Sequence, residues 1–254
     1  MVSSQLSHWP DSWPFSLELL PDNAVLVGGS VRDRLLNRQS SYLDLDFVLP
    51  NNPLATARAI AQRYNAGFVV LDEARQIARV VFKSVTVDFA QQQGDSLEAD
   101  LRRRDFTINA IAYHPHRQVL IDPLQGAADL SDRILRMVSA QNLAEDPLRL
   151  MRGYRQAAQL GFTIAPETQA AIAQLAPKLQ SDSVSIERIR SELDALLSVS
   201  SATHPTAVLT ETPTRGQITN EQIANEQIAN EQTTDEQSGE QPLIQHLQAI
   251  CQHD

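Results

Sequence analysis

The sequence predicts an α+β protein: a mixed sheet of about five strands with helices, then a small helical segment, then a polar disordered tail. Three observations carry this. Short apolar runs bounded by Gly, Pro and Asn recur between residues 24 and 90. From about residue 96 the apolar spacing becomes helical. Residues 217–237 repeat a five-residue unit, QITNE-QIANE-QIANE-QTTDE, a period that fits neither helix nor strand.

The elements follow in order. The first twenty residues, with Pro10, Pro14 and two Trp, read as a lead-in ending at Pro21. Ala24 to Val27 reads as a buried strand stopped by Gly28-Gly29, with a short helix from Ser30. Leu43 to Leu49 is a second strand, closed by Pro50-Asn51-Asn52-Pro53, and residues 54–64 fit a helix. Phe68 to Leu71, Ile77 to Phe82 and Val85 to Ala90 fit three more strands. Helices are expected over 97–103, 106–113, 126–133, 146–160, 167–176 and 185–197, with Arg117 to Ile121 as a short extra strand. Gly161 stops one helix and Pro166 lies just beyond it. Residues 200–241 carry too little apolar surface to offset their ordering entropy. Leu243, Ile244, Leu247 and Ile250 then restore an apolar helical face in a short segment, 242–254.

Composition removes several classes. At 254 residues the chain holds one large domain or two small ones. The single cysteine, Cys251, excludes intrachain disulfides and cysteine-rich zinc sites. Met1-Val2-Ser3-Ser4-Gln5 lacks the basic, apolar pattern of a secretory signal, and no apolar run is long enough for a membrane helix. A cytoplasmic protein with no membrane contact is expected.

The net charge of −10 is unevenly placed. Residues 201–254 carry one base, Arg215, against eight acids, whereas residues 101–155 carry nine arginines against six acids. The acidic balance therefore belongs to the tail and argues only weakly against a polyanionic partner. Nineteen of the 21 bases are Arg, which suits bidentate phosphate and base-edge recognition. A compositional bias explains it as well.

The stretch VLVGGSVRDRLLNRQSSYLDLDFVLP, residues 25–50, is the most informative. In a strand, residues two apart share a face, so Asp44 and Asp46 point one way and Leu45, Phe47 and Leu49 the other. Two carboxylates so close repel unless a cation or protons sit between them. The spacing suits Mg²⁺, held by one or two carboxylates plus substrate phosphates. Gly28-Gly29 precedes a helix start, where bare backbone N–H groups can approach a phosphate chain, and Arg32 lies one turn in. Each feature alone has a bland explanation: Asp-x-Asp is common and a Gly-Gly turn is usually only a turn. Together, with thirteen residues between Ser30 and Asp44, they resemble the signature of the DNA polymerase beta nucleotidyltransferase superfamily. That superfamily often adds a third carboxylate from a later strand. Asp88, in SVTVDFA, is the candidate, and a plain strand-end aspartate explains it equally.

Three further stretches narrow the resemblance. LRRRDFTINAIAY, residues 101–113, sets three arginines before Asp105; alone, this reads as a solvated charged face or a phosphate site. IDPLQGAADLSDRILRMV, residues 121–138, reads as a connector with a turn and a capped helix. EDPLRLMRGYRQAAQLGF, residues 145–162, reads as a helix with Asp146 at its cap and Pro147 at its first position. Arg149, Arg152 and Arg155 follow at steps of three along one side.

In this order the stretches closely resemble the bacterial-type class II tRNA nucleotidyltransferase and poly(A) polymerase family, over about residues 24–162 and more weakly through SIERIRSEL at 185–193. The resemblance implies a polymerase-beta-like nucleotidyltransferase head over 22–140 and a helical neck for base recognition over 141–199; composition alone reads 200–241 as a low-complexity linker and 242–254 as a short helix, the start of a missing body domain. It implies Mg²⁺-dependent, template-independent addition of C and/or A from CTP and ATP to the 3′ end of tRNA, by two-metal phosphoryl transfer with release of pyrophosphate. Asp44 and Asp46 would hold the metal ions. Gly29 and Arg32 would touch the triphosphate, and Arg104, beside Asp105, the sugar and phosphates. Asp146 and Arg149 would read the base edge, and Arg152 and Arg155 would complete the nucleotide pocket.

Two departures from the family pattern are local: Asn37 and Gln125 stand where the family usually has Gly. A third is length, since family members continue through helical domains that grip the tRNA. The chain is then a fragment, or a second polypeptide supplies the grip, or the protein does something reduced. A poly(A) polymerase of the same architecture and a non-catalytic RNA-binding remnant stand as the alternatives. Retention of Asp44, Asp46, Arg104, Asp146 and Arg149 argues against the remnant.

Overall fold

The computed structural model of the chain describes residues 13–38, 42–180 and 184–199. The expected linker at 200–241 and C-terminal helix at 242–254 lie outside the described residues. Seven strands form one sheet: β1 (Val25–Val27), β2 (Leu43–Leu49), β3 (Gly67–Asp72), β4 (Ile77–Val81), β5 (Val85–Gln91), β6 (Ala112–His114) and β7 (Val119–Ile121), in the order β3-β4-β5-β2-β1-β6-β7. Only β2 and β5 run parallel; the other neighbours are antiparallel.

The alternation in β2 divides the sheet into two environments. Leu45, Phe47 and Leu49 enter the main core with Leu26, Val80, Val87 and Phe89. The Phe47 and Phe89 rings stack with centroids 5.5 Å apart. Helix α2 (Pro53–Tyr64) covers this face through Ala57, Ile60 and Ala61, and burying each such Phe or Ile contributes about 1.5–3 kcal/mol. On the opposite face Val25, Val27 and Val48 pack with Leu101, Ala110 and Ala112. Beyond them that face carries acids.

The remaining helices are α1 (Gly29–Leu35), α3 (Leu97–Leu101), α4 (Gly126–Asp132), α5 (Ala140–Glu145), α6 (Leu148–Leu160), α7 (Pro166–Leu175) and α8 (Ile186–Leu197). A two-stranded parallel ribbon, β8 (Ile134–Leu135) with β9 (Thr163–Ile164), ties the segment after α4 to the end of α6. Among the described residues no helix is long and apolar enough to cross a membrane.

Several expectations differ in detail. The sheet has seven strands rather than about five, because β6 and β7 extend it past β1. Residues 106–113 are not a helix: a 3-10 turn, Thr107–Asn109, leads into β6. Ile108, Ala110, Ile111 and Ala112 are all fully buried, so a run apolar on every side carries no period to distinguish helix from strand. Helix α6 starts at Leu148, two residues inside the expected 146–160, with Pro147 rather than Asp146 as its cap residue. Asp146 still serves the start, its Oδ1 accepting from Leu148 N at 3.3 Å.

Both local departures fall where the backbone is left-handed, Asn37 at φ 53° and Gln125 at φ 58°. The glycine retained beside the second cannot change. A β-carbon on Gly126 would overlap the Thr107 carbonyl.

Candidate active site

The turn between β1 and α1 brings backbone to the acid-bearing face of the sheet. Val27 pairs with Asp46 across the antiparallel β1–β2 ladder. The next residue, Gly28, has φ 79° and ψ −145°. Its open side faces Asp46 Oδ2 and Arg104 Nη1, which would lie 3.2 and 3.6 Å from a β-carbon there.

The parallel β2–β5 register sets Asp44 beside Thr86 and Asp46 beside Asp88. Asp44 and Asp46 thus share a face, as the spacing predicts. The Thr86 hydroxyl donates to Asp44 Oδ1. Asp46 is half-buried. Burial, then the like charges of Asp44 and Asp88, push its carboxyl up to about 6, against Arg104 and Arg79, which pull it down. Asp88 also lies on this face, but Arg79 grips both its oxygens, Nε to Oδ1 at 2.7 Å and Nη2 to Oδ2 at 2.8 Å.

A cleft of about 480 Å³ opens over this face. Gly28, Gly29, Arg32, Asp46, Arg104, Arg152 and Arg155 line it, with Asp88, Asp105, Asn109 and Gln156. Arg32 donates to Asn109 Oδ1 at 2.9 Å and to Gln156 Oε1 at 3.4 Å. Asn109 Nδ2 donates onward to Asp105 Oδ1 and Gln156 Oε1, both at 2.9 Å. Asp105 is buried and pairs with Arg152 at 3.1 Å. Burial alone would raise its carboxyl; Arg152, with Asn109 and the Phe106 N–H, outweighs that and holds it below the ordinary range. The network joins α1, the 107–109 turn and α6 into one wall.

Asn109 and Gln156 escape sequence reasoning. Their only signal is a polar side chain at a position that buries. Asp105 belongs to this wall, paired to Arg152.

Three expected site residues, Asp44, Asp146 and Arg149, do not line the cleft; Asp44 lies exposed on the strand face it shares with Asp46. Arg149 Nη1 donates to the carbonyls of Asn142 and Arg103 at 2.9 and 3.1 Å. Asn142 in turn donates to the carbonyls of Arg102 and Arg104, so this end of α6 secures the segment that carries Arg104. Asp146 Oδ2 meets Arg188 on α8 at 3.5 Å. Arg155 pairs with Glu192 on the same helix at 2.5 Å and donates to Gln159.

The donor set fits a hard divalent cation. Two carboxylates share a face, one carries its charge against burial and repulsion, and the missing Gly28 side chain leaves room beside Asp46 Oδ2. Guanidinium groups along the same cleft suit a polyphosphate.

Residues 24–136 match the model of the Poly A polymerase head domain, and residues 161–212 that of the Probable RNA and SrmB- binding site of polymerase A. The CC-adding tRNA nucleotidyltransferase of Synechocystis sp. is 57% identical over 194 residues, 76% of this chain and 46% of that protein. The A-adding tRNA nucleotidyltransferase of Deinococcus radiodurans is 46% identical over 180 residues, 70% of this chain and 40% of that protein. Among solved structures, the Thermotoga maritima CCA-adding enzyme complexed with tRNA(CCA) superposes with a TM-score of 0.62 at 30% identity, over 69% of this chain and 43% of that one. A tRNA nucleotidyltransferase complexed with a primer tRNA and an incoming ATP analog gives 0.60 at 29% identity, over 69% and 55%. The chain spans less than half the length of the two curated relatives described.

Proposed function

Because the chain belongs to the bacterial-type class II tRNA nucleotidyltransferase and poly(A) polymerase family, we propose that it adds C and/or A from CTP and ATP to the 3′ end of tRNA, releasing pyrophosphate. In this reading residues 22–140 form the catalytic head and residues 141–199 the neck that recognises the base. The observation that carries it is the meeting of Asp46, the Gly28 turn and Arg32, Arg104, Arg152 and Arg155 around one cleft, with Asp44 on the same strand face as Asp46.

Asp44 and Asp46 would hold Mg²⁺, which when bound would supply Lewis-acid chemistry, acidifying the RNA 3′-hydroxyl and screening the triphosphate charge. The Gly28-Gly29 turn lets the triphosphate approach backbone N–H groups. Arg32 and Arg104 hold phosphate and sugar oxygens, and Arg152 and Arg155 close the nucleotide pocket. The protein contributes position and fixed charge. Asp146 and Arg149 read the base edge, which requires a base amino group to replace Arg188 at Asp146. The tRNA body is gripped by a part of the protein outside the described residues or by a second polypeptide.

The test is incorporation of labelled CTP or ATP into tRNA lacking its 3′ end, with Asp44→Ala and Asp46→Ala as controls. Mg²⁺-dependent product, lost in both variants, is expected. No such product at high enzyme concentration would overturn the proposal. Extension from ATP alone that does not stop would favour a poly(A) polymerase instead.

A further inference from the structure

Across the acid-bearing face the ladders align three charges in one row: Asp46 on β2, Asp88 on β5 and Arg79 on β4. Arg79 and Asp88 are directly opposed across the antiparallel β4–β5 pair. Both carboxylate oxygens of Asp88 are occupied by one planar fork at 2.7 and 2.8 Å. The Asp88 side chain is only 16% exposed and that of Arg79 is 37% exposed. A charge-assisted pair in this geometry is among the stronger and more directional of polar contacts.

The other two acids of the face are held differently. Asp44 accepts from a neutral hydroxyl, Thr86, which leaves its charge available. Asp46 faces the space left by Gly28. Among the described residues no group of three or more His, Cys, Asp or Glu is placed to hold a metal ion.

We infer that Arg79 is a positioning residue that withholds Asp88 from the cation site, so that Asp44 and Asp46 alone carry the metal. This rests on the metal role proposed for those two acids. A cation reaching Asp88 would have to displace a two-point guanidinium grip and sit against its charge. A lysine would not serve equally, since it grips as a point charge and leaves one oxygen free. The arrangement keeps the third position of the row neutral in sum while presenting a fixed positive charge near both metal-holding acids.

The experiment is Mn²⁺ binding to the full chain, read from the EPR signal of free Mn²⁺, with melting curves to verify folding. Asp88→Asn, which leaves the Arg79 charge uncompensated, is expected to weaken Mn²⁺ binding by up to about tenfold, while Arg79→Gln, which releases a carboxylate, tightens it by about tenfold. Arg79→Lys should give a smaller tightening and guards against a Gln variant that folds poorly. In Arg79→Gln with Asp88→Asn the tightening should vanish. A tenfold loss in Asp88→Asn that persists in the double variant, where no uncompensated guanidinium remains, overturns the inference, because Asp88 is then a ligand. Absence of tightening in Arg79→Gln, or tightening that persists without Asp88, also overturns it. Undiminished Mn²⁺ binding in Asp44→Asn and Asp46→Asn would instead sink the metal reading underneath.

Discussion

Gly28 and Asp46 approach so closely that a β-carbon on the glycine would stand 3.2 Å from the carboxylate Oδ2. The same glycine holds φ 79° and ψ −145°, a region other residues enter only with strain of order 1–3 kcal/mol. Two independent constraints therefore meet at one position. Gly28→Ala is expected to lower the melting temperature and, by displacing Asp46 or Arg104, to weaken CTP binding by about tenfold or more. Gly29→Ala is the matched control. Its β-carbon would meet the movable end of Arg32 at 3.4 Å, and it should do less on both counts. CTP affinity at the parent level in Gly28→Ala would remove the close approach from the argument.

Asp46 and Asp105 titrate in opposite senses. Burial, then Asp44 and Asp88, raise Asp46 to about 6 from 3.8. The folded state thus holds this proton more tightly than the unfolded one, and the stability linked to it falls as pH rises from about 4 to about 6. Asp46→Asn should stabilise the metal-free protein at about pH 7.5 by on the order of 2–3 kcal/mol, and far less at about pH 4. Urea unfolding in chelator at the two pH values measures this. Equal effects at both would contradict it.

Asp105 reverses the sign. Its carboxyl is held low despite burial, chiefly by Arg152. The stability it contributes is present above the ordinary carboxylate pKa and is lost as pH falls through the folded value. Asp105→Asn leaves Arg152, itself 39% exposed and so partly hydrated, without its partner, and is expected to cost about 1–3 kcal/mol at neutral pH. The same pH-dependent unfolding series should show that difference shrinking in acid.

What was legible in the sequence follows from where burial is one-sided. The span of β2, Leu43–Leu49, was readable to the residue because its apolar and acidic positions alternate between core and cleft. Residues 106–113 were not, because burial on all sides erases the period. Asp44, Asp46 and Arg32 stand out in the sequence by their spacing and Arg104 only through the family resemblance; of these the structure brings Asp46, Arg32 and Arg104 to one cleft. Asn109 and Gln156 were not, since their roles exist only once α1, the 107–109 turn and α6 converge. The Arg79–Asp88 pair depends on a hairpin register that alternation alone leaves open. Helix α5 was missed although Ser139, whose side chain accepts from Asn142 N, is a readable cap signal.

Asn37 and Gln125 hold left-handed backbone without being glycine. An L-residue in that conformation costs roughly 1–2 kcal/mol, less for Asn, whose side chain bonds locally. Gln125→Gly is accordingly expected to stabilise by about 0.5–1 kcal/mol and Asn37→Gly by a few tenths, the extra freedom of glycine in the unfolded chain offsetting part of the relief. The urea midpoint of each variant is the measurement. Destabilisation by Gln125→Gly would show that its side chain contributes more than the strained angle costs.

Asp146 offers the sharpest test of base choice. Cytosine N4 and adenine N6 are amino donors that a carboxylate accepts, while uracil and guanine present a carbonyl there, which an ionised Asp146 repels. Arg149 stands three residues on and can donate to the neighbouring ring acceptors. Buried groups left unpaired by the wrong base make such rejection strong. Asp146→Ala should therefore reduce discrimination of CTP and ATP over UTP and GTP by about 100-fold or more, with Mn²⁺ binding retained. Arg188→Ala separates base reading from helix packing. It removes the contact at 3.5 Å that Asp146 now makes with α8 but leaves the carboxylate in place, so selectivity should survive while the melting temperature falls. Unchanged selectivity in Asp146→Ala would take base reading away from this residue. Selectivity lost equally in both variants would assign it to the seating of α6 against α8.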